Sequence, residues 1–229
     1  NFHSVAPSYQ CLLSTQWQRF PKRVSSMTDL GVVLDCKLSF RMHIDSIVNK
    51  GSAMLGFIKR LSNEFRDPYT FKILYTTYVR SKLEYASCVW QPFYVTHVNR
   101  IERIQEKFIK HALRRLPWNP NLDLPPYANR CRVLVMDTLK RRRNIARVLL
   151  VFDLLSGKID SPNLFSQIGL SVPSYRTRGR EFLFVEFHRT NYGVFEPINA
   201  AVRGFNEFAG LFDFNLTRDK FIKRIQAVT

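Results

Sequence analysis

The stretch Thr96-His97-Val98-Asn99-Arg100-Ile101-Glu102-Arg103-Ile104-Gln105-Glu106-Lys107-Phe108-Ile109-Lys110-His111-Ala112-Leu113-Arg114-Arg115-Leu116 decides how this chain folds. Ile101, Ile104, Phe108, Ala112 and Leu116 recur at helical steps, and Ile109 and Leu113 widen the apolar stripe. Arg100, Arg103, Lys107, Lys110 and Arg114 follow a second line at steps of 3, 4, 3 and 4. At about 3.6 residues per turn, both lines stay on fixed faces of one helix. The segment is therefore predicted to be a helix with one buried face and one almost wholly cationic face. Thr96 is its candidate cap, and Leu116-Pro117 ends the pattern.

Upstream, Asp67-Pro68 opens another helix: the carboxylate accepts from free amides, and proline fits the first turn. Phe71, Leu74, Tyr75, Tyr78 and Leu83 carry it to about Val89, and Pro92 closes it. An earlier helix starts near Ser39 and uses Met42, Ile47, Met54, Leu55, Ile58 and Leu61, with Gly51 and Gly56 weakening the pattern. Residues 1–38 read as short strands and turns, with Val32-Val33-Leu34 entered through Asp29-Leu30-Gly31.

Downstream, residues 117–126 hold four prolines and form the clearest boundary. A short helix is expected near 127–135. A longer one follows, capped by Asp137 and stopped at Gly157. Ser161-Pro162 starts a further short helix, and 171–181 is a polar, arginine-rich loop. Phe182 to His188 is a strand or hairpin arm, and helices occupy 195–208 and 217–227. The expected fold class is mainly α, divided into 1–38 (a small β segment), 39–118 (a helical subdomain) and 119–229 (a mostly helical region).

Composition supports a packed chain, with 45% hydrophobic residues, 14% aromatics and 19 phenylalanines. The net charge is +17, and residues 97–158 hold 14 basic and 5 acidic groups, a net of +9. A basic field that local points to a polyanionic partner, whether DNA, RNA or an anionic membrane surface. The four cysteines stand singly at 11, 36, 88 and 131. Neither they nor His43, His97 and His111 make a zinc pattern, so free thiols of a reducing, intracellular compartment are expected. No run of about 18 apolar residues suggests a membrane span. The chain opens on Asn1-Phe2-His3-Ser4-Val5, without a start Met or a signal-peptide core, and so reads as a fragment.

Two basic clusters are candidate nucleic-acid contacts. The first is the line Arg100, Arg103, Lys107, Lys110 and Arg114. A merely solvated face normally mixes signs, whereas Glu102 and Glu106 lie off this line. Arg and Lys there would contact phosphates and displace counterions without reading bases. The second cluster is Lys140, Arg141, Arg142, Arg143 and Arg147. It reads as a second phosphate patch, a nuclear import signal or a solvated helix start. Cations in a first turn oppose the helix macrodipole, so helix stability alone does not account for them.

Aromatic residues Tyr75, Tyr78, Tyr85 and Trp90 have helical spacing, which favours burial over base stacking. Trp118 anchors the proline-rich stretch, Tyr192 beside Gly193 serves a turn, and His111 would reinforce the cationic line when protonated. No Ser, Cys or His arrangement suggests a nucleophile.

Several blocks, in order along nearly the whole chain, carry a resemblance. They are Asp29-Leu30-Gly31-Val32 with Leu34-Asp35, Leu38-Ser39-Phe40 and His43-Ile44, then Leu74-Tyr75 and Val79-Arg80-Ser81-Lys82-Leu83-Glu84-Tyr85-Ala86-Ser87 with Val89-Trp90 and Pro92. Arg100 to Gln105 with Phe108, Leu124-Pro125, Tyr127, Arg130-Cys131, Arg141-Arg142-Arg143, Asn191-Tyr192-Gly193 and Glu196-Pro197 complete them. Together they resemble the C-terminal part of the reverse transcriptases of non-LTR (LINE-type, jockey-like) retrotransposons.

The resemblance implies that 1–38 is the end of a polymerase palm and that 39–118 is a thumb closing on template–primer duplex. It makes 119–229 the element's C-terminal region. The parent activity it implies is RNA-directed DNA synthesis, with partners in the nucleic acid and in the palm, fingers and endonuclease portions absent from this chain. Polymerase chemistry uses clustered carboxylates holding two Mg²⁺ about 4 Å apart. The family places two of these carboxylates in an aromatic-x-Asp-Asp turn. Here the ten Asp residues include no Asp-Asp pair, so this chain is expected to be inactive alone and to hold no cofactor itself. Having lost its partner strands, the 1–38 segment should leave an exposed edge and limit solubility. Two other readings stand beside this one: a helical protein-interaction module, and a retroelement remnant without function.

Overall fold

The computed structural model of the chain describes residues 24–61, 67–114, 125–172 and 181–228. The expectations for residues 1–23, for Leu116 and Trp118, for Leu124 and for most of the 171–181 loop lie outside these residues.

Leu30 and Gly31 take positive φ values of 43° and 84°, which closes a two-residue turn. It joins β1 (Ser26–Asp29) to β2 (Val32–Asp35) in an antiparallel hairpin with Asp29 opposite Val32. From the end of β2, the Asp35 carboxylate accepts from the Phe40 amide at 3.0 Å and from the Ser39 hydroxyl at 2.8 Å. That fixes the entry to α1 (Arg41–Leu61). His43, buried on α1, accepts from the Val33 amide at 3.3 Å and lies 5.1 Å from the Trp90 ring. The hairpin is thus tied to the helices through β2, while β1 keeps an unpaired edge and Met27 and Leu30 stay exposed.

Asp67 caps α2 (Pro68–Tyr75) as expected, accepting from the Tyr69 and Thr70 amides. The helix then widens into a π turn, Thr76–Arg80, before α3 (Ser81–Glu84). It ends earlier than predicted, because Ala86 adopts φ 51° and starts the separate short helix α4 (Ser87–Trp90). The break explains the aromatics. Tyr75 and Trp90 are fully buried, as expected, but Tyr78 and Tyr85 are exposed. Tyr85 instead donates to the Leu30 carbonyl at 2.9 Å, and its own carbonyl accepts from the Trp90 indole at 2.7 Å.

The decisive segment forms α5 (Val95–Leu113). Ile101, Ile104, Phe108, Ile109, Ala112 and Leu113 are all buried against α1, α2 and the π turn. Phe108 stacks on Tyr75 with ring centroids 4.0 Å apart and lies 5.6 Å from Phe71. Gly51, which weakened the α1 pattern in sequence, is buried where α1 meets α3 and α5. A Cβ there would lie 3.0 Å from Leu83 Cδ2 and 3.3 Å from Ile104 Cδ1.

α6 (Tyr127–Val133) leads to α7 (Leu139–Leu155). Thr138, not the predicted Asp137, caps α7 by accepting from the Arg141 amide. Gly157, at φ 69°, ends it as expected. Then come α8 (Pro162–Phe165), a second small antiparallel pair of β3 (Gly169–Leu170) with β4 (Leu183–Phe184), and α9 (Asn191–Val194). α10 (Pro197–Asn206) and α11 (Arg218–Val228) follow. Among the described residues the fold is mainly helical, with two small two-stranded sheets.

The buried residues form two cores: one runs from Val32 to Leu139, the other from Val148 to Ile225. The second gathers Phe152, Phe205 and Phe221, with Phe152 and Phe221 stacked at 4.8 Å. The division expected between 39–118 and 119–229 therefore falls inside α7. Cys131, Met136 and Leu139 join the first core, so α6 and the head of α7 belong with the earlier helices. α7 is a beam shared by both halves.

Replacing Gly51 with Leu should lower the unfolding free energy by about 1–3 kcal/mol through overpacking at this helix contact. Urea denaturation checks it, and an unchanged midpoint would mean that α1 and α5 do not approach so closely.

Candidate nucleic-acid interface

α5 presents its polar side chains to three different neighbours. Toward α1, Arg100 is drawn into a 2.5 Å ion pair with Asp45. Toward α6 and α7 lie Glu102 and Glu106. Between these two borders run Arg103, Lys107, Lys110 and Arg114, all exposed. Among the described residues, Arg103, Lys107 and Arg114 have no carboxylate partner. Lys110 is 3.2 Å from Glu106, a partner it shares with Arg130 at 3.0 Å. Those contacts hold the Glu106 carboxyl below its ordinary range, with the Arg130 hydrogen bond the largest cause. Four of the five predicted cations thus form an exposed ridge, and Arg100 is the exception.

Lys59, near the end of α1, extends this ridge. Partial burial lowers its pKa, and repulsion from Lys107 and Arg114 lowers it further. Sequence periodicity within α5 gave no sign of Lys59, because its placement depends on how α1 packs across α5. His111, expected to reinforce the line, has its ring 5.2 Å from Phe71.

The second cluster is placed differently. Lys140 is exposed. Arg141 pairs with Asp137 at 3.3 Å. Arg142 makes a two-pronged contact with Glu84 at 2.5 and 3.0 Å, which raises its pKa. Arg143 is 1% exposed and lies 3.7 Å from Glu102, and burial lowers its pKa. Arg147, half-buried, donates to the Asn144 side chain at 3.0 Å. The five therefore do not form one unpaired outward row: Arg141, Arg142 and Arg143 lie against carboxylates of the same chain.

Glu102 organises this inner network. Its carboxylate accepts from the Tyr127 hydroxyl at 2.6 Å, from the Leu139 amide at 3.3 Å and from the Lys140 amide. The last two are free amides at the start of α7, so Glu102 acts as a cap donated by another helix. Beside it, the fully buried Gln105 accepts from Tyr75 at 3.2 Å and donates to Tyr127 at 3.0 Å and to the Asp137 carbonyl at 2.9 Å. The cations in the first turn of α7 are offset by carboxylates from α3 and α5, which sequence-local reasoning does not see.

A cavity of ≈ 480 Å³ is walled by Phe40, Trp90, Phe93, Tyr94 and Tyr192. Glu196 is the lone formally charged residue of its lining, so it lacks the cations to hold a phosphate. Among the described residues, no group of three or more His, Cys, Asp or Glu side chains is placed to hold a metal ion. Among the described residues, no helix is long and apolar enough to cross a membrane. Cys36, Cys88 and Cys131 are free thiols.

No family model matches the chain. Over 140 residues, 61% of its length, it is 24% identical to an uncharacterized protein of Caenorhabditis elegans, and the match covers 68% of that protein. No solved structure matches.

Removing Glu102 as Glu102→Ala should cost about 3 kcal/mol, because it strands a buried guanidinium and two helix amides. Arg103→Gln and Lys107→Gln should each change stability by less than about 0.5 kcal/mol. Urea unfolding separates these cases; equal effects would contradict the split between inner and outer cations.

Proposed function

We propose that this chain is the thumb and following C-terminal region of a non-LTR retrotransposon reverse transcriptase, and that it holds template–primer duplex by phosphate contacts. The observation that carries this reading is the exposed ridge of Arg103, Lys107, Lys110 and Arg114, bordered by Lys59. At about 1.5 Å of rise per residue, the ridge runs for roughly 16 Å along α5. A single strand of duplex places a phosphate about every 3.4 Å of axis, so four or five charges meet a comparable number of phosphates. Such contacts position a duplex without reading its sequence. The ordered sequence blocks from Asp29 to Pro197 support the same assignment.

On this reading nucleotide transfer, with its two Mg²⁺ ions, belongs to the palm portion of the parent polyprotein, and this chain alone does not polymerise. Its partners are an RNA–DNA or DNA duplex together with the palm, fingers and endonuclease portions. It works inside the cell, in the cytoplasm or the nucleus.

Binding to an RNA–DNA duplex should weaken steeply with salt, with a log–log slope of about −3.5 to −4.5 for four or five neutralised phosphates. The triple replacement of Arg103, Lys107 and Lys110 by Gln should flatten that slope by about 2 to 3. Fluorescence anisotropy titrations across a salt series measure both. An unchanged slope would remove the ridge from the interface.

A further inference from the structure

Arg143 combines deep burial with incomplete pairing. It is 1% exposed, its contact with Glu102 is long at 3.7 Å, and its Nε and Nη1 are buried without a protein hydrogen-bond partner. Arg147, one turn further along α7, likewise has a buried Nε without a partner. Both line one cavity of ≈ 460 Å³ between the start of α5 and the head of α7. Its exposed rim includes Asn99 and Lys140. The volume falls in the range of about 300–1,000 Å³ typical of small-molecule sites.

The charge in this cavity is unbalanced. Among the described residues, its charged lining is Lys140, Arg143 and Arg147 against Glu102, a net of +2, with Glu84 and Glu207 acting on the arginines from outside the lining. Glu102 is also already shared among the Tyr127 hydroxyl and two α7 amides. Burying a guanidinium without a full counter-charge is costly, by several kcal/mol per ion. A phosphate monoester carries about −1.5 to −2 at neutral pH and matches the excess, where a carboxylate would leave it half offset. The planar guanidinium fork suits phosphate oxygens, and the half-buried Arg147 carries one at the cavity wall. An oxyanion fills only part of the cavity. The rest is faced by Phe93, Val95, Val98 and Phe195, an apolar wall suited to a planar body.

We infer that this cavity binds a phosphate monoester carried on an aromatic base, its phosphate seated on Arg147 and Lys140 with the buried Arg143 charge behind them, and its base against the Phe93–Phe195 wall. The source of such a group is either a free nucleoside monophosphate or the 5′-terminal nucleotide of a strand. The cavity lies apart from the α5 ridge, and its test does not depend on duplex binding.

The experiment is calorimetric titration of the whole chain, at constant ionic strength, with adenosine 5′-monophosphate, adenosine and inorganic phosphate. A parallel titration uses a dinucleotide with and without a 5′-phosphate. Adenosine 5′-monophosphate or the phosphorylated dinucleotide should bind at one site, about tenfold or more tighter than its unphosphorylated form; whichever binds identifies the source. Inorganic phosphate should bind more weakly than the nucleotide.

Lys140→Gln and Arg147→Gln should each weaken binding severalfold, while Lys107→Gln on the ridge should leave it unchanged. These variants keep Arg143, whose replacement risks the fold. Equal affinity for adenosine and its monophosphate, unaltered affinity in both α7 variants, or no saturable binding of either phosphorylated probe would overturn the inference.

Discussion

The structure turns on a single carboxylate. Glu102 leaves the cationic line of α5 and reaches the first amides of α7, the Tyr127 hydroxyl and the Arg143 guanidinium. A helix start that carries Lys140, Arg141, Arg142 and Arg143 would otherwise set four like charges against its own dipole. With Glu102 at its mouth, and with Glu84 and Asp137 on its flanks, three of those four charges meet a carboxylate, and Lys140 does not. Docking α7 in this way joins the two cores, because Leu139 enters the first and Val148 onward builds the second.

The same docking decides which cations face out. The basic residues of α7 are largely spent on internal pairs, and Arg100 is spent on Asp45. What stays exposed is a row along α5, where the nearest acidic groups are already engaged with α6 and α7. Like charges in one row repel one another, so such a surface has no stabilising role within the chain. An external polyanion relieves that repulsion, which is the physical basis for assigning the ridge to duplex binding.

Much of this was legible in the residues themselves. The buried stripe of α5, the Asp67 cap, the turn at Leu30-Gly31 and the stop at Gly157 depend on neighbours a few positions away, and each stands where expected. What sequence could not supply was pairing over distance. Arg142 finds Glu84 at a separation of 58 residues, and the Lys140 backbone amide finds Glu102 at 38. Neither follows from periodicity, so the α7 cluster looked like a surface patch. The π turn and the left-handed Ala86 likewise rotated Tyr78 and Tyr85 outward against an otherwise regular pattern. Gly51 misled for the opposite reason: a weak helix former in isolation, it is the residue that lets α1, α3 and α5 approach.

Lysine acetylation footprinting reads directly where a duplex lies against the molecule. Mass spectrometry of the chain, acetylated with and without a saturating RNA–DNA duplex, compares Lys59, Lys107 and Lys110 with the exposed Lys158, Lys220 and Lys223. Protection confined to the first three is the predicted result. Protection of Lys158, Lys220 and Lys223 with Lys107 and Lys110 still reactive would place the duplex elsewhere and contradict the proposal.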